Sequence, residues 1–340
     1  MRLLDFRASG SVPIYDYSAR QRVVASQMGV TAASAGVSTA AEQAAVAAAT
    51  AYVQAARADA TLSARLEDST LASDLLTIAR QQLAAGVGVG LDVTRAQSQL
   101  AGIRAQLIMA RNDHDRSRLT LLRALNLNLD TPLVLSDSLG APLPPDATSE
   151  ADAVAQAVQN RPELRALDAQ LAAARQQVKA IHAERVPSVG ITGDDGEIGL
   201  NPAHLLNTYD IRLGMSVPLF TGFSRQGREQ EQEANVRDLE ARDRDMRQQV
   251  AVDVRGAILD IASASQAVDA ARERLALTEQ EVTQARERFR AGVAGNADVI
   301  TASLELTGAR TQLVDALTAE VAARLSLARA EGAIARIQSR

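Results

Sequence analysis

The sequence predicts a mainly α-helical protein with a small β part, built as a tandem repeat of one unit: a strand leading into a long coiled-coil helical hairpin. Three observations predict it. A set of motifs recurs about two hundred residues downstream, apolar residues recur every seven positions in long proline-free stretches, and a period-two segment precedes the second stretch.

The repeat comes first. Ser11-Val12-Pro13-Ile14-Tyr15 returns as Ser216-Val217-Pro218-Leu219-Phe220, a shift of 205 residues. Ala85-Gly86-Val87 through Asp92-Val93 returns as Ala291-Gly292-Val293 through Asp298-Val299, and Leu100-Ala101-Gly102 returns as Leu306-Thr307-Gly308, both at a shift of 206. One inserted residue over that distance identifies a duplication. The predicted first repeat, 1–140, holds a strand remnant, a long helix, a hairpin tip near 85–92, a return helix and a linker. The second, 141–340, holds a helix over 150–183, strands near 186–192 and 208–218, and a long helix over 224–290. It closes with a tip at 291–298 and a return helix over 298–337.

Each element has its own signal. Tyr209, Ile211, Leu213, Met215 and Val217 alternate with Asp210, Arg212, Gly214 and Ser216, and Pro218 ends that strand. The helix after it runs without proline for a predicted length of about 100 Å at ~1.5 Å per residue. Val268, Leu275, Val282 and Phe289 are spaced by sevens, and Leu62, Ser69, Leu76 and Leu83 stand at the matching positions of the first copy. Such a seam packs one helix along another. Glycines 86 and 292 stop the long helices, and the return helices are expected to begin near Asp92 and Asp298. By repeat symmetry, the helix over 150–183 is expected to stack end to end with the return helix over 298–337.

Composition excludes several function classes. Aromatic residues are 2% of the chain and Trp is absent, so a ring-filled globular core is not expected. A net charge of −5 offers no basic field, so no nucleic-acid partner is expected. Without cysteine there is no thiolate nucleophile or thiolate metal site. No apolar run reaches the ~20 residues of a membrane-spanning helix. No nucleophile, base and orienting group can be assembled, so the chain is not expected to be an enzyme or to need a cofactor. His114, His182 and His204 stand singly, and no metal site is expected at them. Asp194-Asp195-Gly196-Glu197 does not fit a calcium loop and is expected in a solvated connection.

Ahead of its SVP motif the second copy has a helix and a strand from residue 150 onward, whereas the first copy has only residues 1–10. Those ten residues also lack the features of a secretory signal. The expectation is a shortened form of a longer chain, through a misassigned start or as a remnant.

With the repeat laid out, the sequence resembles the TolC-like family of outer-membrane efflux proteins. The residues that carry the resemblance are Asn160-Arg161-Pro162-Glu163-Leu164, Val186-Pro187-Ser188, Val217-Pro218-Leu219-Phe220-Thr221-Gly222, and the Ala-Gly-Val tips with their following Asp-Val pairs. The resemblance implies a homotrimer whose helices form a periplasmic tunnel and whose strands close an antiparallel β-barrel in the outer-membrane lipid. It also implies a periplasmic adaptor and an inner-membrane pump as partners, and a location in the outer membrane and periplasm. Alternating strands suit a barrel with lipid outside and water within. Three strands from each of three protomers would make an odd total, which an antiparallel barrel does not close, so this form is not expected to complete the family's barrel.

Site residues follow from the tips. Asp92 and Asp298 suit N-capping of the return helices. The resemblance also places carboxylates here around a constricted entrance, where a ring of them favours cations. Ala85, Gly86, Val87, Ala291, Gly292 and Val293 match the family's adaptor-contact tips, and each glycine equally ends a helix. Val89-Gly90-Leu91 is assigned to the loop. Thr301, Ala294 and Phe289 depart from the Asp, Arg and Tyr of some members, so those members' closing salt bridges do not carry over. The expected function is a passive exit duct of a tripartite efflux or type I secretion system, opened at its periplasmic tips by adaptor and pump. The alternatives are a soluble coiled-coil scaffold and a non-functional remnant of such a channel.

Overall fold

A computed structural model of the protein describes residues 4–140, 149–200 and 204–334. Residues 335–337 of the expected return helix and residues 141–148 lie outside the described residues. The elements run β1 (Leu4–Tyr15), α1 (Tyr17–Ala84), α2 (Gly90–Ala124), α3 (Glu150–Asn160), α4 (Pro162–Ala183), β2 (Ser188–Gly199), β3 (Leu205–Ser216), α5 (Ser224–Arg290) and α6 (Asn296–Ala330). Two compact units divide them, Met1–Thr39 with Pro162–Gln248, and Ala40–Arg161 with Gln249–Arg340.

The first unit contains an antiparallel three-stranded sheet in the order β1-β2-β3. Directly opposed residues share a face, and the register lines up Val12, Ile191 and Leu213, then Gly10, Gly193 and Ile211. Tyr209, Ile211, Leu213 and Met215 stand on that face at 69–81% exposure. The opposite face lines up Ser11, Thr192 and Arg212, then Ser9, Asp194 and Asp210. It carries the ion pairs Arg7–Asp194 at 2.8 Å and Arg212–Asp210 at 2.6 Å. Over this stretch the sheet therefore has one apolar and one charged face; farther along, Asp195 and Glu197 fall on the apolar side and Ile198 and Leu206 on the other. Pro13 is accommodated because β1 is an edge strand, with a register shift between Pro13 and Tyr15.

One expectation is corrected here. Asp194-Asp195-Gly196-Glu197 lies inside β2, paired on one side to Arg7–Phe6 and neighbours and on the other to Asn207–Asp210. Backbone pairing on both sides outweighs the poor strand propensity of these residues.

Asp16 caps α1. Its Oδ1 accepts from the Ala19 backbone N–H at 2.9 Å and from the Ser18 hydroxyl at 2.7 Å. These bonds, the backbone one first, hold the Asp16 carboxyl below its usual range. Asp16→Ala is expected to cost about 1 kcal/mol. A depressed folded-state value makes this contribution fully present above the ordinary carboxylate range. It is lost as pH falls through the lowered value. Urea unfolding at pH 7 and at pH 3 checks both statements: the gap between wild type and variant should narrow in acid.

The second unit is a set of packed helices. Val268 and Ala271 meet Ala316, and Val282 meets Ala302 and Leu306, so α5 and α6 run antiparallel. Ala72, Leu75, Leu76 and Ala79 of α1 pack on Ala96, Leu100 and Ile103 of α2, with Phe289 and Val299 in the same cluster. Alanine at these seams lets the helix axes approach closely. Val268, Val282 and Phe289 of the seven-residue seam are buried, as is Leu76, whereas Leu83 is 43% exposed.

The single helix expected over 150–183 is two. It breaks at Arg161, whose backbone is extended (φ −60°, ψ 122°), because a residue before proline is driven out of the helical region. The Arg161 guanidinium then donates to the Ala330 carbonyl at 2.8 Å, at the end of α6, and pairs with Asp253 at 2.7 Å. The α6 helix ends at Ala330, where Gly332 takes a positive φ of 64°.

Candidate functional site: the paired hairpin tips

Both long helices end in the same backbone device. Gly86 (φ 73°) and Gly292 (φ 70°) adopt the left-handed conformation that glycine reaches without a Cβ penalty. The Gly86 N–H donates to the Leu83 carbonyl at 3.1 Å and the Val87 N–H to the Gln82 carbonyl at 3.0 Å. In the second tip Gly292 donates to Phe289 at 3.0 Å and Val293 to Arg288 at 3.1 Å. These bonds satisfy the last helix carbonyls. The residue after the glycine ordinarily packs back on an apolar side chain of its own helix. Here the positions it would meet are Gln82 and Arg288, and Val87 and Val293 stay 77% and 69% exposed. Ala85, Gly86, Ala291 and Gly292 are exposed with them.

The two tips lie side by side. The Gln82 side-chain amide donates to the Phe289 carbonyl at 2.6 Å, and the Asn296 amide donates to the Asp92 carbonyl at 2.8 Å. Asn296 is fully buried, and its Oδ1 has no protein partner. Sequence reasoning did not single it out. The available signal was its place in the repeat, where a polar residue stands opposite Gly90.

The return helices start earlier than expected, at Gly90 and Asn296, so Gly90 and Leu91 belong to α2 instead of the loop. The capping positions are Val89 and Gly295, and neither helix has a side-chain cap. Asp92 and Asp298 are thus not caps. They sit in the first helical turn, where a carboxylate is favoured by the helix dipole. Asp298 is exposed, whereas Asp92 is half-buried and has Arg95 at 4.0 Å.

The histidines are not all isolated surface groups. His114 is largely covered and has Asp115 at 3.1 Å and Asp59 at 3.6 Å. His182 faces Glu229 at 3.2 Å, with Glu233 close by. No sequence spacing signals that grouping, because its members come from two different helices.

Over residues 1–127 and 153–333 the chain matches the family described as outer membrane efflux protein. Protein CyaE of Bordetella pertussis is 28% identical over 261 residues, 76% of this chain and 55% of its own length. The chain thus spans about half the length of the curated relative it matches. Among solved structures, the outer-membrane channel OprN aligns with a TM-score of 0.80 at 17% identity, covering 98% of this chain and 82% of that one. The outer membrane protein VceC from Vibrio cholerae aligns at 0.78 with 18% identity, covering 97% and 87%. These two likenesses show a common fold, and the repeated hairpins and sheet described above are what aligns. On the match across most of its length, the chain belongs to the outer membrane efflux protein family.

Proposed function

We propose that the protein serves as one protomer of a homotrimeric, passive exit duct, with its sheet in outer-membrane lipid and its helical hairpins forming a periplasmic tunnel. The carrying observation is the sheet: Val12, Tyr209, Ile211, Leu213 and Met215 form an exposed apolar band on one face, backed there by Ser9, Ser11, Thr192, Asp194, Asp210 and Arg212 on the other. Water on both sides would leave the apolar face unpaid for, while lipid on one side and an aqueous lumen on the other satisfies both. A soluble scaffold has no use for such a face. The tips complete the reading. Val87 and Val293, exposed beside the polar Gln82 and Arg288 of their own helices, offer the contact for a periplasmic adaptor, and an inner-membrane pump supplies the energy. Asp92 and Asp298, brought near a three-fold axis, would place carboxylates around the entrance and favour cations.

Planar-bilayer recording tests this on the trimer of the chain supplied with a fourth strand, since three strands from each protomer do not close an antiparallel barrel. Stepwise, cation-preferring conductance is expected, and Asp92→Ala with Asp298→Ala should lower the cation preference severalfold. A folded trimer without conductance overturns the duct, whereas unchanged preference overturns only the carboxylate ring. Val87→Asp with Val293→Asp should abolish export from cells and leave bilayer conductance intact. Normal export by that variant would remove the tips from the adaptor contact.

A further inference from the structure

We propose that His182, Glu229 and Glu233 form a binding site for a borderline divalent cation, represented by Zn²⁺, that ties the end of α4 to the first turns of α5. One ligand atom from each residue lies within 4.8 Å of the others. Glu229 and Glu233 are four residues apart and so project from the same face of α5, and His182 reaches them from the last turn of α4. The His182 Nε2 to Glu229 Oε1 separation is 3.2 Å. Two ligands each bound at ~2.0–2.1 Å in a tetrahedral arrangement stand at nearly that separation. The Glu233 carboxylate is the third ligand. Its side chain is 45% exposed and has Arg237 only at 4.0 Å, so a rotamer change brings it in.

Neighbouring groups prepare the site. Arg185 holds the other oxygen of Glu229, at 3.3 Å, which orients Oε1 towards His182 and leaves it available. Arg228 clamps both oxygens of Glu184, at 3.0 and 2.5 Å, and pins the end of α4 against α5. The donor set selects the ion. One imidazole nitrogen with two carboxylates suits Zn²⁺, Ni²⁺ or Cu²⁺, whereas Mg²⁺ and Ca²⁺ prefer oxygen alone. Three protein ligands leave a fourth position for water. The repeat does not produce this grouping. At the shift of 206, Val23 and Gln27 stand opposite Glu229 and Glu233, and neither provides a carboxylate.

Calorimetric titration of the full chain in detergent with Zn²⁺ tests the proposal. One equivalent is expected to bind, with at least about tenfold weaker binding in His182→Gln and separately in Glu233→Gln. Glu233→Gln is the discriminating variant, since a plain His182–Glu229 ion pair does not depend on it. X-ray absorption of the loaded protein should show one imidazole and oxygen ligands. Equal Zn²⁺ binding by wild type and both variants, or no binding by wild type, overturns the site. Should His182→Gln fail to fold, Glu233→Gln and the absorption spectrum decide alone.

Discussion

Asp68→Ala is expected to destabilise the protein by about 3–5 kcal/mol. Asp68 is 1% exposed, and its two oxygens are held by Arg65 at 2.8 Å and Arg310 at 2.7 Å. Arg65 also donates to the Thr311 hydroxyl at 2.7 Å, and Arg310 to Glu67 at 2.8 Å. The network joins α1 to α6. Removing the carboxylate leaves two guanidinium groups, 13% and 17% exposed, without their shared anion. The loss of desolvated charge pairing far exceeds the loss of a surface contact. Arg57 and Asp315 make the comparison within the same helix pair: they meet at 2.7 Å but are 46% and 51% exposed. Arg57→Ala should therefore cost less than about 1 kcal/mol. Chemical denaturation followed by helical circular dichroism checks both. Equal small losses in the two variants would show that the Asp68 network is solvated and contributes little.

Ile211→Arg is expected to abolish stable membrane assembly. Ile211 is 77% exposed in the middle of the apolar face, opposite Gly193. On the proposed reading that face meets hydrocarbon, where a lipid-facing arginine costs about 2–4 kcal/mol near the bilayer midplane. A homotrimer would bear the cost three times. Thr192→Arg, on the charged face beside Arg212, is the matched control and should insert normally. Heat-resistant trimer recovered from lipid vesicles, with the same fourth strand supplied to every variant, is the readout. Normal insertion of Ile211→Arg would mean that the apolar face is covered by protein or faces water, and the duct reading would fall with it.

Much of the architecture was legible because its signals are local and repeated. The shift of 206 anticipates that Gly86 and Gly292 end their helices alike, and Asn126 and Gly332 show the same pairing, with φ of 54° and 64° at the ends of α2 and α6. Two misreadings were also local in origin. Pro162 was present in the sequence as a reason to break the 150–183 helix, but the alanine-rich pattern on both sides masked it. Asp92 and Asp298 are typical capping residues, but the glycine turns are short enough that the helices start before them.

The sequence by itself determined the duplicated strand-and-hairpin plan, the seven-residue seams, the turn glycines and the two-faced polarity of β3. Each depends on backbone sterics or on the spacing of apolar residues along one element, and both are written in neighbouring positions. Only the tertiary structure decided which carboxylate is buried, which amide joins the tips and which histidine gains two glutamates. Asp68 and Arg310, Asn296 and Asp92, and His182 and Glu229 are each far apart in the chain. Whether such groups meet depends on the rotation and stagger of packed helices. A shift of one residue turns an α-helical side chain by about 100°, so no local pattern specifies the meeting.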